Sequence, residues 1–374
     1  MFTLPGFYKQ RYFLIMRPTK VGQCPLPHPH FKKLCQSAFA ESKHHPEGQM
    51  APIVGAAILE KHAAFKDWTI LPKIMGKDPG FIAESPDQTQ RIYFKCTNNM
   101  LNELFAARVL THLGVKVAET TLFVDDQGNC FLGTRGLSRQ YTKTGAAKSK
   151  AFAPLMGLLP DAVTLSIGYD AAIDGARETH LPEMNAFVDT LFQQDSARIS
   201  FAKLALMGFS LGLTDVATHG GNIGILTSSK EGKTHQKWSI VDYQVYTTSL
   251  SSIESSSALL ESLKKSFSGN SPVFKAMLEK LTLADLEQAI AEIANPKVYE
   301  ENPQGYYLTA RDSKSSYKAA IEKAFEETKD ILHGNGLDSA EAVQSLEKQK
   351  EIIMANLGII TACRDHLTPS GFSL

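Results

Sequence analysis

Apolar positions along the chain keep two rhythms, one of alternating short runs and one of helical spacing. From about residue 69 the short runs dominate. WTILPKIMGKDPGFIAES sets apolar stretches on both sides of a turn between Gly76 and Gly80, and RIYFKC (91–96) packs branched and aromatic residues between polar boundaries. Next, NNMLNELFAARVLTHLG spaces Leu101, Leu104, Phe105, Val109 and Leu113 as one helix does, with Asn98 or Asn99 as N-cap and Gly114 as stop. VAETTLFVDDQGNCFLGTRGL then predicts a β-hairpin turning at Asp126-Gln127-Gly128. The predicted order is strand, turn, strand, helix, hairpin.

The second half is mostly helical in rhythm. ARISFAKLALMGFSLGL (197–213) is apolar nearly all round, as a buried helix is. HGGNIGIL and KWSIVDYQVY predict two short strands joined by a polar turn, SSKEGKTHQK. Residues 255–367 read mainly as amphipathic helix, and 138–150, SRQYTKTGAAKSK, as a polar, basic connection. Residues 52–65 predict a short helix, while Pro25, Pro27 and Pro29 make 25–34 irregular by restricting the residues before them. The expected division is an N-terminal extension (1–65), a small β-rich lobe (66–137) and a mainly helical lobe (138–374).

Composition narrows the class. A chain of 374 residues, 43% apolar and 21% charged, suits a soluble bilobed enzyme or two modest domains. Lys plus Arg balance Asp plus Glu at 39 each, so the basic excess of a dedicated nucleic-acid binder is missing and no nucleic-acid partner is expected. The cysteines (Cys24, Cys35, Cys96, Cys130 and Cys363) are odd in number and form no CxxC pair, which predicts neither a disulfide framework nor a structural zinc site and fits a reducing cytoplasm. No apolar run reaches the length of a membrane span, and Phe13–Met16 is too short for a signal-peptide core. His28, His30, His44 and His45 lack framing carboxylates or cysteines and read as solvated loop histidines.

The chemistry concentrates in a few positions. Lys95 ends the strand RIYFKC, and Glu103, the only acidic residue between Lys95 and Glu119, stands in the first turn of the following helix. That position also suits a carboxylate beside a helix N-terminus. Beyond the buried helix come Asp215, His219 and Asn222, and then Asp242 inside the apolar run IVDYQV, where an unpaired carboxylate would be costly. Phosphoryl transfer needs this set: a cation for the nucleotide phosphates, an acid to hold that cation, hard oxygen ligands for Mg²⁺ or Mn²⁺, and a carboxylate for the acceptor hydroxyl.

Leu211-Gly212-Leu213-Thr214-Asp215, His219-Gly220-Gly221-Asn222-Ile223 and Ile240-Val241-Asp242-Tyr243 resemble the catalytic and metal-binding motifs of phosphoinositide kinases, L-G-x-G-D-R-H-x-x-N-I and I-D-[FYH], and those of bacterial kinases of the HipA and secreted-effector kind. The resemblance implies an α+β, protein-kinase-like fold with a β-rich N-lobe and a mainly helical C-lobe. It implies ATP with Mg²⁺ or Mn²⁺, Gly76 and Gly80 in the glycine turn, Lys95 on the phosphates and Glu103 anchoring it. Asp215, with His219, would serve the acceptor, and Asn222 and Asp242 the metal. Two departures stand out: Asp215 and His219 are four apart where the family has two, and Gln244 replaces the glycine after Tyr243. The expected acceptor is a phosphoinositide headgroup or a protein hydroxyl. Arg139, Lys143, Lys148 and Lys150 would attract an inositol phosphate or lipid headgroup, or simply form a solvated loop. The alternatives are a kinase-fold AMP transferase and a pseudokinase that binds partners. The expected location is cytoplasmic, with peripheral membrane contact, or the host cytosol for a secreted effector.

Overall fold

A computed structural model describes residues 62, 65, 67–72, 80–97, 99–125, 128–136, 139–143, 146–158, 181–213, 216, 222–230, 233–241, 244–267, 272–301 and 308–363. The helix expected within 52–65 lies almost wholly outside these residues, as do Gly76, Asp215, His219 and Asp242 and the four histidines of the N-terminal extension.

The first sheet is antiparallel and five-stranded. It is built from β1 (Thr69–Pro72), β2 (Gly80–Glu84), β3 (Arg91–Lys95), β5 (Thr120–Val124) and β6 (Cys130–Arg135), in the order β1-β2-β3-β6-β5. Alternation makes it: along β3, Ile92 and Phe94 are buried while Arg91 and Tyr93 are exposed. Phe94 stacks on Phe81 at 4.5 Å, and Phe65, Phe123 and Phe131 close the aromatic face. Helix α1 (Met100–His112) enters between β3 and β5 and is buried nearly all round. It ends on Gly114, whose φ of 77° needs a glycine.

The short strand β4 (Lys116–Val117) leads out of α1 and pairs in parallel with β10 (Lys233–Ile240), tying the first lobe to a second sheet of order β4-β10-β9-β8-β7. Its other strands are β7 (Arg139–Lys143), β8 (Ala146–Pro154) and β9 (Ile223–Lys230). A short turn of helix, α2 (Leu155–Leu158), and helix α3 (Leu181–Leu191) precede α4 (Asp195–Leu211), which is the buried helix expected from its apolar surround. Its Phe201 meets Trp238 of β10 edge-on at 5.6 Å. Helices α5 (Ser256–Ser266), α6 (Pro272–Glu279), α7 (Leu283–Ala294), α8 (Tyr317–Gly334) and α9 (Ala340–Ala362) complete the helical lobe. Serine or threonine caps open α5, α7, α8 and α9, and the α7 cap is a full Thr282–Asp285 capping box. One hydrophobic cluster runs from Phe65 to Cys363 through both lobes. The architecture is α+β: a five-stranded antiparallel sheet with α1, then a second sheet among the remaining helices.

Three details differ from expectation. Within the basic stretch, 139–143 and 146–150 are antiparallel strands, with Arg139 paired opposite Lys150 and Tyr141 opposite Lys148 in register. The strands β9 and β10 consume most of the supposed turn, leaving only two residues between Lys230 and Lys233. A further hairpin, β11 (Lys297–Glu301) with β12 (Leu308–Lys314), interrupts the helices. β7 and the ends of β9 and β10 nearest their turn are largely polar, so no apolar alternation announces them. No helix among the described residues is long and apolar enough to cross a membrane.

Candidate active site

Lys95 ends β3, where it pairs across the sheet with Gly80 on one side and Leu132 on the other. Its Nζ lies 2.6 Å from Glu103 Oε2, with both side chains buried. Sequence order had paired these two residues; the geometry joins them. The helix axis brings Glu103 back beneath the strand end because only a few residues, Cys96 to Asn99, separate β3 from α1. Gly80 has a reason of its own to be glycine: a Cβ there would lie 1.9 Å from the Phe94 carbonyl oxygen of the facing strand. Strand pairing therefore accounts for Gly80 without a phosphate contact.

Asn222 stands one residue before β9, and Val241 one residue after β10. The Val241 N–H donates to the Asn222 carbonyl at 2.9 Å. The hairpin therefore brings Asn222 to the residue that precedes Asp242 in the chain, although Asp242 itself lies outside the described residues.

The end of α4 is fixed just as tightly. Gly212 adopts φ 65°, and a Cβ on it would fall 2.2 Å from the Tyr246 carbonyl oxygen. Leu213 bridges Val245, the Tyr246 N–H donates to the Gly212 carbonyl at 2.9 Å, and Thr247 Oγ1 donates to the Leu211 carbonyl at 2.9 Å. Leu213 comes two residues before Asp215, and Val245 three after Asp242. Val216, the residue after Asp215, is buried.

The N-terminus of α1 reaches the same junction. Asn99 occupies the expected N-cap position, but its side chain makes no capping bond. Instead its Nδ2 donates to the Val245 carbonyl at 3.0 Å, while its Oδ1 accepts from Asn102. Asn99 is thus the N-cap that the sequence predicts, with its side chain spent on linking elements rather than on a capping bond. Spacing alone also misses Asn356 of α9, which is fully buried and bonded to Ser210, Thr248 and Leu250. A lone asparagine in the apolar run EIIMANLGII was its available signal, since a buried amide requires partners.

Oxygen ligands are what Mg²⁺ or Mn²⁺ requires, and the Asn222 amide and Asp242 carboxylate are of that type. Among the described residues no group of three His, Cys, Asp or Glu side chains could hold a metal. The ligand set expected here draws on Asp242, beyond those residues.

No protein-family model and no curated protein matches the chain. Among solved structures, the proinflammatory kinase CtkA of Helicobacter pylori is similar at 13% identity and a TM-score of 0.38, over 77% of this chain and 95% of that one. A chain of the Shewanella oneidensis MR-1 toxin–antitoxin complex of HipA, HipB and operator DNA is similar at 12% identity and a TM-score of 0.40, over 91% and 85%. Likenesses this distant leave the fold and the site to rest on the chain's own topology and contacts.

Proposed function

We propose that the chain is an ATP- and divalent-metal-dependent phosphotransferase. The carrying observation is the buried Lys95–Glu103 pair, one turn into α1 from Asn99, whose side chain ties that helix to Val245 beside the end of α4. In this reading Glu103 holds the Lys95 ammonium in place to receive the nucleotide phosphates. Asn222 and Asp242 hold the metal, which neutralises phosphate charge when bound. Asp215, with His219 four residues on, orients the acceptor hydroxyl and takes its proton. The acceptor oxygen bonds to the γ-phosphorus as the bond from that phosphorus to the ADP oxygen breaks.

The acceptor is a phosphoinositide headgroup or a protein hydroxyl. For the first, the sequence offers Arg139, Lys143, Lys148 and Lys150, a run of cations without an acid that would attract an anionic headgroup. The proposed setting is a reducing cytosol, of the producing cell or of a host.

Incubation with γ-labelled or α-labelled ATP, Mg²⁺ or Mn²⁺, phosphoinositide vesicles and protein substrates tests the reading. Transfer of γ-label by the wild type and its loss in Asp242→Ala is the expected result. Transfer of α-label instead would establish the AMP transferase. Bound ATP with no transfer would mark a pseudokinase.

A further inference from the structure

We infer that Asn356 is a positioning residue through which the C-terminal helix α9 sets the geometry of the active-site loops; this rests on the phosphotransferase reading. Asn356 has 0% exposure, so all of its hydrogen bonding must come from the protein. Its Oδ1 accepts the Leu250 N–H at 2.9 Å, and its Nδ2 donates to the Ser210 and Thr248 carbonyls, both at 2.8 Å. Both donors of the amide are used, on two different elements.

Those elements are the two that carry the proposed chemistry. Ser210 belongs to the last turn of α4, which runs on to Asp215. Thr248 and Leu250 belong to the extended segment that follows Asp242. The Gly212–Tyr246 and Leu213–Val245 contacts zip the same two pieces together nearer the site, and Asn99 attaches the Glu103 helix to Val245. Segment 244–250 is thus held from three sides, by α4, α1 and α9, with Asn356 at its distal end. A helix far along the chain fixes how the end of α4 stands relative to segment 244–250, the two stretches next to Asp215 and Asp242 in the sequence. Such bonding is a geometric device rather than a packing one, because leucine would fill the volume and hold neither carbonyl.

The test uses the full chain as wild type, Asn356→Leu and Asn356→Asp, with amide hydrogen exchange and steady-state kinetics. In Asn356→Leu, exchange should quicken about tenfold or more at Tyr246 and Leu250, as expected for a lost buried hydrogen bond, and stay unchanged in α7. There kcat should fall about tenfold with KM for ATP within about twofold, the signature of misplaced groups rather than lost ground-state binding. Asn356→Asp keeps the shape and the acceptor for Leu250 but sets a carboxylate against two carbonyls. Its kcat should therefore recover as pH falls and the introduced carboxyl gains a proton to donate, a profile the wild type lacks. Exchange that rises equally in α7 means general destabilisation and overturns the inference. So does local exchange with unchanged kcat, or an Asn356→Asp profile that parallels the wild type. If the wild type transfers no phosphate, the phosphotransferase reading fails and exchange alone judges Asn356: local quickening sustains its hold on segment 244–250, and unchanged exchange overturns it.

Discussion

At the scale of single residues, the Lys95–Glu103 pair is costly to build and costlier to break in half. Two buried charges repay their desolvation through each other, and removal of one leaves the other uncompensated. Lys95→Ala should therefore destabilise the fold by about 3–5 kcal/mol, while Lys95→Met with Glu103→Leu should lose far less stability. Phosphate transfer should vanish in both. Chemical denaturation run beside the kinetics separates the two effects; equal stability loss in the single and double variants would show that the charges do not compensate each other. Lys203 of α4 is the opposite case. Burial lowers its pKa below 10.5, Lys237 adds to the shift, and Glu292, with Oε2 3.4 Å away, only partly offsets them. The unfolded chain holds this proton more tightly than the folded one, so its contribution makes stability rise with pH below 10.5. Lys203→Met should raise stability at neutral pH by about 1 kcal/mol and flatten that rise. Thermal melts across alkaline pH check both halves of the prediction.

Among the elements, α1 is held by more than the sheet it lies on. Phe325 of α8 approaches Phe105 edge-on, and His112 Nε2 lies 2.8 Å from Glu327 Oε2. Burial pushes the Glu327 carboxyl upward, but the hydrogen bond and charge of His112, with Arg108 and Lys323, outweigh it and leave the pKa below 4.5. A depressed carboxylate stabilises the fold above its unfolded value and loses that effect as pH falls through its folded one. Glu327→Gln should thus cost well under 1 kcal/mol at neutral pH, because Glu327 is about a third exposed, and nothing once the wild type is protonated. Urea denaturation at neutral and acid pH reads the difference, and a constant gap would remove the ion pair from the explanation. Helices such as α1 and α4 were legible in the sequence because burial imposes its period on long runs. The β7–β8 ribbon was not, because β7 is largely polar and Lys148, Ser149 and Lys150 interrupt the apolar residues of β8; pairing makes them strand, β7 with β8 and β8 with β9. The Lys95–Glu103 pair was legible because eight residues separate its members. The bonds of Asn356 reach 106 to 146 residues along the chain, a distance that no local pattern encodes.

For the whole molecule, the continuous core is the governing fact. Phe65 and Cys363 belong to one hydrophobic cluster, and β4 crosses from the first lobe to pair with β10 of the second. Lobes that share a core lose most of their apolar burial together, so thermal unfolding should proceed as one transition rather than two. Nucleotide adds a second expectation. Its proposed ligands come from both lobes: Lys95 from the first sheet, and Asn222 and Asp242 from the β9–β10 hairpin. A ligand that binds only the folded form stabilises it by about 2.7 kcal/mol at a hundredfold excess over Kd. At about 2–4 °C per kcal/mol for a chain of moderate size, saturating ATP with Mg²⁺ should raise the single Tm by about 5 °C or more. Chelating the metal should remove part of that rise in the wild type, and Asp242→Ala should show only the metal-independent part. Two transitions, with ATP moving one of them alone, would mean that the lobes do not share the nucleotide. A rise unaffected by chelation and by Asp242→Ala would leave Lys95 with the phosphates and take the metal away from Asp242.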